Sequence, residues 1–454
     1  MKKIFALLFV LGSFAIAQTQ IKIPYTRYVL SNGLNVILHE DHSTPTVSVN
    51  TWYHVGSGYE KVGRTGFAHL FEHLMFMGSG HVPVGEFDKL LEAAGGENNG
   101  STTEDRTNYY EDVPINALEL ALYLDSDRMG FLVDAMNPQK VDAQRDVVKN
   151  ERRQSYENRP YGLSEETILK NLFPSTHPYS WPVIGSMADL SAASYDDVVE
   201  FFRTYYVPNN ASLVISGDIN PKETIKLVEK WFGAIPKGKI VPPQNPAAVA
   251  LNEEKIVVLE DKVQLPRLYM TWITPKRFSP GDAEMDVVGN ILAGGKNSRL
   301  YKKLVYDLQI AQDVRAGQSS SKLVSQFQII ATARAGHNLT ELKKVIQEEI
   351  DKLKNEQPSQ RELQRTVNQY EAAFIDQLES PGGFSGKADM LNTYFYYTGN
   401  PDYANEDLAR YKALSTDDIQ TAAQTYLQDN GRVILSIVPK GKIDLAIQPK
   451  AEGK

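Results

Sequence analysis

The chain has 454 residues, 42% of them hydrophobic and 23% charged, which excludes a collagen-like, disordered or low-complexity chain. Lys and Arg total 48 against 56 Asp and Glu, a net charge of −8, so no general basic footprint for DNA or RNA exists. No cysteine is present, which removes disulfides, thiolate metal ligands, a cysteine nucleophile and a lipidated N-terminal cysteine.

At its start the chain reads MKKIFALLFVLGSFAIAQ, with Lys2 and Lys3, an apolar run from Ile4 to Phe14, and Ala15-Ile16-Ala17. This is the pattern of a signal peptide over residues 1–17, and it predicts a periplasmic or secreted product. The alternative is a short uncleaved anchor, but the run falls below the ~20 apolar residues of a membrane span. Residues 27–38, RYVLSNGLNVIL, read as strand, Asn32-Gly33 turn of type I′, and strand. Val47 to Tyr53 reads as a third strand. Apolar spacing turns helical over Phe67–Met77 and Glu86–Ala94, and GGENNGSTTEDRTNYYEDV returns to short extended segments. Helices follow over Ile115–Asp127 and Asn137–Tyr156, the second with Pro138 in its first turn.

An internal repeat organises the rest. Asp196-Asp197-Val198 and Thr204-Tyr205 return as Asp417-Asp418-Ile419 and Thr425-Tyr426, both at an offset of 221 residues, and each copy leads through an Asn-bearing turn into an apolar strand. Between the copies lies the Pro- and Lys-rich stretch PKGKIVPPQNP over residues 236–246. The expected organisation is a first domain over 18–236, a linker over 237–246, a related second domain over 247–445 and a polar tail over 446–454, both domains α+β.

The chemistry concentrates in the first half. Seven of the eight histidines precede the linker. Among them His69-Leu70-Phe71-Glu72-His73 has the H-x-x-E-H pattern of the inverted zincins. On a helix, His69 and His73 project from one face and can converge on one ion, while Glu72 can address a water bound to it. Two histidines at this spacing can also be a solvated polar face. The flanking Phe67, Leu70, Phe71, Leu74, Met75 and Phe76 argue otherwise, because they make the helix apolar nearly all round and bury the three polar groups, which without an ion is costly. A hydrolytic zinc site keeps three protein ligands, and without cysteine the third must be a carboxylate or another histidine. Glu151, on a helix downstream, is the candidate.

These segments resemble the pitrilysin/insulinase-type zinc peptidases, including the mitochondrial processing peptidase branch. HLFEHLMFMGS resembles the family's H-x-x-E-H-M-x-F-x-G-T block, GGENNGSTTEDRTNYY its G-G-x-x-N-A-x-T segment, RDVVKNERR the helix of its distal glutamate, and GGKNSRLY its Gly-rich block in the second half. The resemblance implies an α+β fold of two homologous domains, each a mainly antiparallel sheet packed with helices. It implies one zinc per chain held by His69, His73 and Glu151, with Glu72 as general base. It also implies that the segment around Asn99 is an edge strand along which a peptide substrate adds, with Asn99 as a substrate contact; Tyr109 and Tyr110 are core or cleft-wall residues.

Two departures from the family stand out. Seven residues before Glu151, where many members have a glutamate that orients the site, this chain has Gln144, an amide that cannot act as an anion; Glu157 or another acid is the possible substitute. The Arg and Tyr with which active members hold substrate have no evident counterpart in residues 247–445; Arg334 is a conceivable position, although a lone Arg is more often a solvated surface charge. The expected function is therefore an exported zinc metalloendopeptidase acting on peptides or unfolded polypeptides, paired with a homologous subunit lacking the zinc motif or with a second copy. The alternatives are a non-catalytic or weakly active peptide-binding subunit and a metal-dependent hydrolase of another class. No nucleic acid and no membrane span after leader removal are expected.

Overall fold

A computed structural model describes residues 21–448. The leader expected over 1–17 and the last residues of the expected tail lie outside the described residues. Six strands make the first sheet: β1 (Thr26–Val29), β2 (Asn35–Glu40), β3 (Thr46–Tyr53), β4 (Glu97–Thr102), β5 (Thr107–Pro114) and β6 (Ala211–Gly217), in the order β1-β2-β6-β3-β5-β4. Five make the second: β7 (Glu254–Asp261), β8 (Arg267–Thr274), β9 (Ala311–Ser319), β10 (Ser325–Ala333) and β11 (Arg432–Pro439), in the order β7-β11-β8-β10-β9. The second order reproduces β2-β6-β3-β5-β4. Both sheets are antiparallel except for one equivalent pair, β2 with β6 and β7 with β11, which run parallel. Each half has its own apolar core, and the chain is an α+β protein of two like-built domains.

The repeat seen in the sequence is a repeat of structure. Helices Tyr195–Tyr205 and Thr416–Tyr426 both begin behind a serine, Ser194 or Ser415, whose side chain accepts from the third helical N–H while Asp197 or Asp418 bonds back to it. Each leads into an interior strand of its sheet, β6 or β11, buried along all or nearly all of its length.

The helices that position the site are α1 (Phe67–Leu74), α2 (Glu86–Ala93), α3 (Leu118–Ala135), α4 (Pro138–Arg152) and α5 (Ser164–Leu172). The halves exchange equivalent helices. Ile168, Leu169 and Leu172 of α5 pack on Val433, Leu435 and Ile437 of β11, whereas Ala388, Met390 and Leu391 of the Lys387–Thr398 helix pack on Ile37 and Val214 of the first sheet. Each sheet is thus covered on one face by a helix of the other half.

Three local expectations are corrected. Asn32-Gly33 does not make a two-residue type I′ turn: β1 and β2 are joined by five residues, and only Gly33 has positive φ (91°). Asn32 is instead buried, donating to the carbonyls of Phe232 (2.8 Å) and Ile235 (2.9 Å) and accepting from Leu34 N–H, which holds it out of the left-handed region. The 137–156 helix divides at Arg152, beyond which Arg153–Glu157 is a π-helical turn. The expected tail begins inside the second core, where Ala446 and Ile447 are buried.

Candidate metal centre

Helix α1 starts abruptly. Gly66 has φ 90°, and a Cβ there would meet the Ile184 carbonyl at 2.7 Å. Its first N–H groups are met by a carboxyl group from outside the helix: Glu60 accepts from Gly66 N–H (2.9 Å) and Ala68 N–H (2.8 Å), while burial pushes its pKa up to about 8 against those bonds. Phe67, Leu70, Phe71 and Leu74 bury one side of α1 in the first core. His69, Glu72 and His73 are left on the side facing α4 and β4, only partly buried, whereas the sequence implied full burial. A short helix wedged between a sheet and α4 hides its apolar side, and this polar side borders a cleft.

Helix α4 brings Glu151 to that cleft. Its first turn is capped by Asn137, which accepts from Lys140 N–H at 2.9 Å, with Pro138 in the first helical position. Its last turn is fixed by buried Arg152, which donates to the Gly185 carbonyl and to Glu166 Oε2, both at 2.6 Å. Glu151 Oε2 then lies 3.2 Å from His73 Nε2 and 3.7 Å from His69 Nε2. The three residues can offer ligand atoms all within 4.8 Å of one another, the only such cluster among the described residues.

Electrostatics suit a cation. Burial lowers the pKa of His69 to about 4, Glu151 opposing and His73 reinforcing the shift, so the imidazole keeps its lone pair at neutral pH. The hydrogen bond from His73 holds Glu151 below the usual carboxylate range. His69 Nδ1 is buried without a hydrogen-bond partner. Two imidazole side chains and one carboxylate converging on a point are the donor set and count of a hydrolytic zinc site, so the residues present fit zinc.

Glu72 stands beside this cluster and does not join it. Its Oε2 accepts from Thr102 Oγ1 at 2.6 Å, and burial raises its pKa against the opposing effect of that hydroxyl. A Cβ on Gly100 would sit 3.2 Å from Glu72 Cγ, so the strand runs close to α1 at a glycine. Strand alternation puts Gly100 and Thr102 on the same face, the signal by which Thr102 could have been found.

β4 is the last strand of its sheet, with no partner on its outer edge among the described residues. Thr103 N–H bonds across to Arg106 O (2.9 Å), so by alternation Asn98, Gly100 and Thr102 turn their N–H and C=O groups outward. Asn99 is exposed and its Oδ1 accepts from Gly100 N–H at 2.8 Å, capping one of those outward donors. Tyr109 is buried in the core, and Tyr110 packs edge-on against Phe384 of the second half.

The remaining predicted residues are not gathered here. Gln144 donates to Met77 Sδ (2.9 Å). Glu157 lies 3.6 Å from Arg152 Nε. Arg334 is exposed in the loop after β10, in the second half. Sequence reasoning missed Glu60, whose only signal is a carboxylate a few residues ahead of a helix with no capping side chain of its own.

Residues 35–179 match the family model described as Insulinase (Peptidase family M16), and residues 192–370 match the model described as Peptidase M16 inactive domain. The chain belongs to the peptidase M16 family. The zinc protease PqqE of Helicobacter pylori is 29% identical over 443 residues, which cover 95% of this chain and 97% of that protein. The crystal structure of a protease from Helicobacter pylori superposes with a TM-score of 0.86 at 26% identity, covering 92% of this chain and all of that one. The periplasmic protease PqqL from Escherichia coli shares the fold, with a TM-score of 0.76 at 17% identity over 94% of this chain and 49% of its own. The zinc-protease relatives and the M16 match support a zinc peptidase, with the insulinase-model match in the first half and the inactive-domain match in the second. No helix among the described residues is long and apolar enough to cross a membrane.

Proposed function

We propose that the chain is an exported zinc metalloendopeptidase that hydrolyses peptides or unfolded polypeptides. The observation that carries this reading is the convergence of His69, His73 and Glu151 beside a carboxylate, Glu72, that is tethered by Thr102 and left out of the cluster. His69, His73 and Glu151 would hold one zinc per chain. When bound, the metal supplies a Lewis acid and lowers the pKa of its water towards ~7.

The chain's own groups do the rest. Glu72 accepts a proton from the attacking water and returns it to the leaving nitrogen, with Thr102 fixing the orientation of its carboxylate. The outward N–H and C=O groups of Asn98, Gly100 and Thr102 hold an extended peptide as an added strand, which places its carbonyls alongside α1. Asn99 contacts that peptide after releasing Gly100 N–H. Strand addition requires unpaired substrate backbone, which favours peptides and unfolded chains over folded domains.

The leader-like residues 1–17 support export, and the Escherichia coli neighbour is a periplasmic protease. A second reading, a weakly active subunit of a larger assembly, is favoured by Gln144, which is bonded to Met77 and offers no anion to the site. Metal analysis of the mature chain with cleavage of a mixed peptide library tests both readings. One zinc with turnover supports the endopeptidase, and zinc without turnover on any peptide supports the subunit reading.

A further inference from the structure

A cavity of about 570 Å³ lies between the first half and the outer face of the second sheet. Its near wall begins at Glu104, two residues beyond Thr102, and continues through Tyr156 and Arg159, five and eight residues beyond Glu151. An extended peptide on β4 that runs past Thr102 therefore leads towards it. The far wall is one face of β8, β10 and β9, from which Arg267 and Arg315 line the cavity.

Three guanidinium groups line this space without a carboxylate partner. Arg267 donates through Nε to Thr332 Oγ1 at 2.9 Å, and among the described residues no carboxylate lies within 4.0 Å of the guanidinium of Arg159, Arg267 or Arg315. The acids nearby make no ion pair with them. Asp313 accepts from Thr332 (3.2 Å), Asp261 from Tyr161 N–H (2.9 Å) and Glu165 from the Tyr156 hydroxyl (3.4 Å), and burial pushes Glu165 up and Glu104 up to about 7.

The wall is built rather than incidental. Tyr161 adopts φ 62°, a region a tyrosine rarely occupies, and is held there by the second half. Its N–H donates to Asp261 Oδ2 (2.9 Å) and its hydroxyl to the Leu265 carbonyl (2.7 Å). The Arg267 guanidinium stacks on its ring with Cζ 3.7 Å from the centroid. Stacking fixes the plane of the guanidinium and leaves its edge N–H groups for a planar anion.

We propose that this cavity is a carboxylate-binding subsite of the peptidase, occupied by an Asp or Glu side chain or by the C-terminal carboxylate of a peptide lying on β4. Arg267 and Arg315 are its specificity-determining residues. The inference rests on the peptidase reading above for the register of the peptide and deepens it.

The test separates the two. Zinc-loaded full-length mature chain carrying Glu72→Gln is titrated, by fluorescence anisotropy, with labelled Ala/Ser-based peptides bearing a single Glu or Gln at each position in turn, each made as the free acid and as the C-terminal amide. About tenfold tighter binding of one carboxylate-bearing member than of its neutral twin is expected. Preference for Glu at one position identifies a side chain, and preference for the free acid identifies the terminus. Arg315→Glu, an exposed position, should abolish the preference, and Arg315→Lys should retain part of it. Arg267→Gln should also reduce it, provided the variant melts as the parent does. Equal affinity for every acid and amide, no binding of either, or a preference that survives Arg315→Glu overturns the subsite. Cleavage of the neutral peptides by the chain with Glu72 intact is measured in parallel, so loss of the peptidase reading shows in turnover and loss of the subsite shows in binding.

Discussion

Thr102 Oγ1 donates to Glu72 Oε2 at 2.6 Å, joining the edge strand that would carry substrate to the carboxylate that would act on it. Because the bond crosses from β4 to α1, the position of the base depends on the strand. Thr102→Val keeps the β-branched shape and deletes the hydroxyl. Zinc content should be unchanged, and kcat should fall by about tenfold, the effect of one hydrogen bond to a charged group. Turnover at the parental rate would show that Glu72 needs no tether.

Ligand and base separate by substitution. Glu72→Gln keeps size and helical propensity but cannot take a proton, so zinc should remain while turnover falls by roughly 10²–10⁴. His69→Ala, His73→Ala and Glu151→Gln should lower zinc content itself, since each removes one of three converging donors. Metal analysis beside peptide turnover distinguishes the classes, and a His69→Ala/His73→Ala double variant with full zinc would refute the ligand set.

The site was legible where chemistry and local period coincide. H-x-x-E-H puts His69, Glu72 and His73 on one helix face, and the absence of cysteine leaves a carboxylate, such as Glu151, or another histidine as the third ligand. Thr102 and Glu60 were not legible, because a single polar residue that bonds a neighbouring element leaves no periodic trace. The repeat revealed two like-built domains. It did not reveal that α5 and the Lys387–Thr398 helix change places, since an amphipathic pattern shows that a helix has a buried face but not which sheet buries it.

That exchange is expected to couple the unfolding of the two halves. Leu169 of α5 is buried against β11. Leu169→Ala should cost about 2–5 kcal/mol, as for a cavity in any core. Denaturant unfolding followed separately by probes in each half should show both moving together to lower midpoints. Independent transitions, with only one shifted, would mean that the exchanged helices do not couple the halves.

A second link between the halves depends on pH. Lys387, at the start of the exchanged helix, pairs with Asp41 after β2, and this hydrogen bond holds the Asp41 carboxyl well below its usual range. The folded pKa lies below that of the unfolded chain, so the stabilisation is complete above the unfolded value of about 3.9 and is lost as pH falls through the folded one. Asp41→Asn should therefore lower the melting temperature at neutral pH, by the equivalent of about 1–3 kcal/mol. The difference from the parent should shrink as the medium is acidified below about pH 4. A constant difference across that range would remove the ion pair as its cause.

Assembly follows from what the cleft lacks. Stabilising the charge that develops on a substrate carbonyl needs donors opposite the nucleophile. Arg106, whose charge acts on Glu72, is already engaged by the carbonyl and hydroxyl of Ser101 (2.9 and 2.6 Å) and stacks on Trp52. Arg334 is exposed in the second half, in the loop after β10. The outer edge of β4 is open, so a second chain can close over it. We predict that the mature chain alone turns peptides over weakly and that a homologous exported subunit lacking H-x-x-E-H, and supplying an Arg and a Tyr, raises kcat by at least tenfold with little change in zinc content. A homodimer using second-half residues of its own copy is the competing arrangement. Mass measurement in solution, with peptide turnover before and after addition of each candidate subunit, decides between them. High activity from a pure single-chain preparation that no added subunit increases would eliminate the heterodimer, and a dimeric mass for that preparation would establish the homodimer in its place.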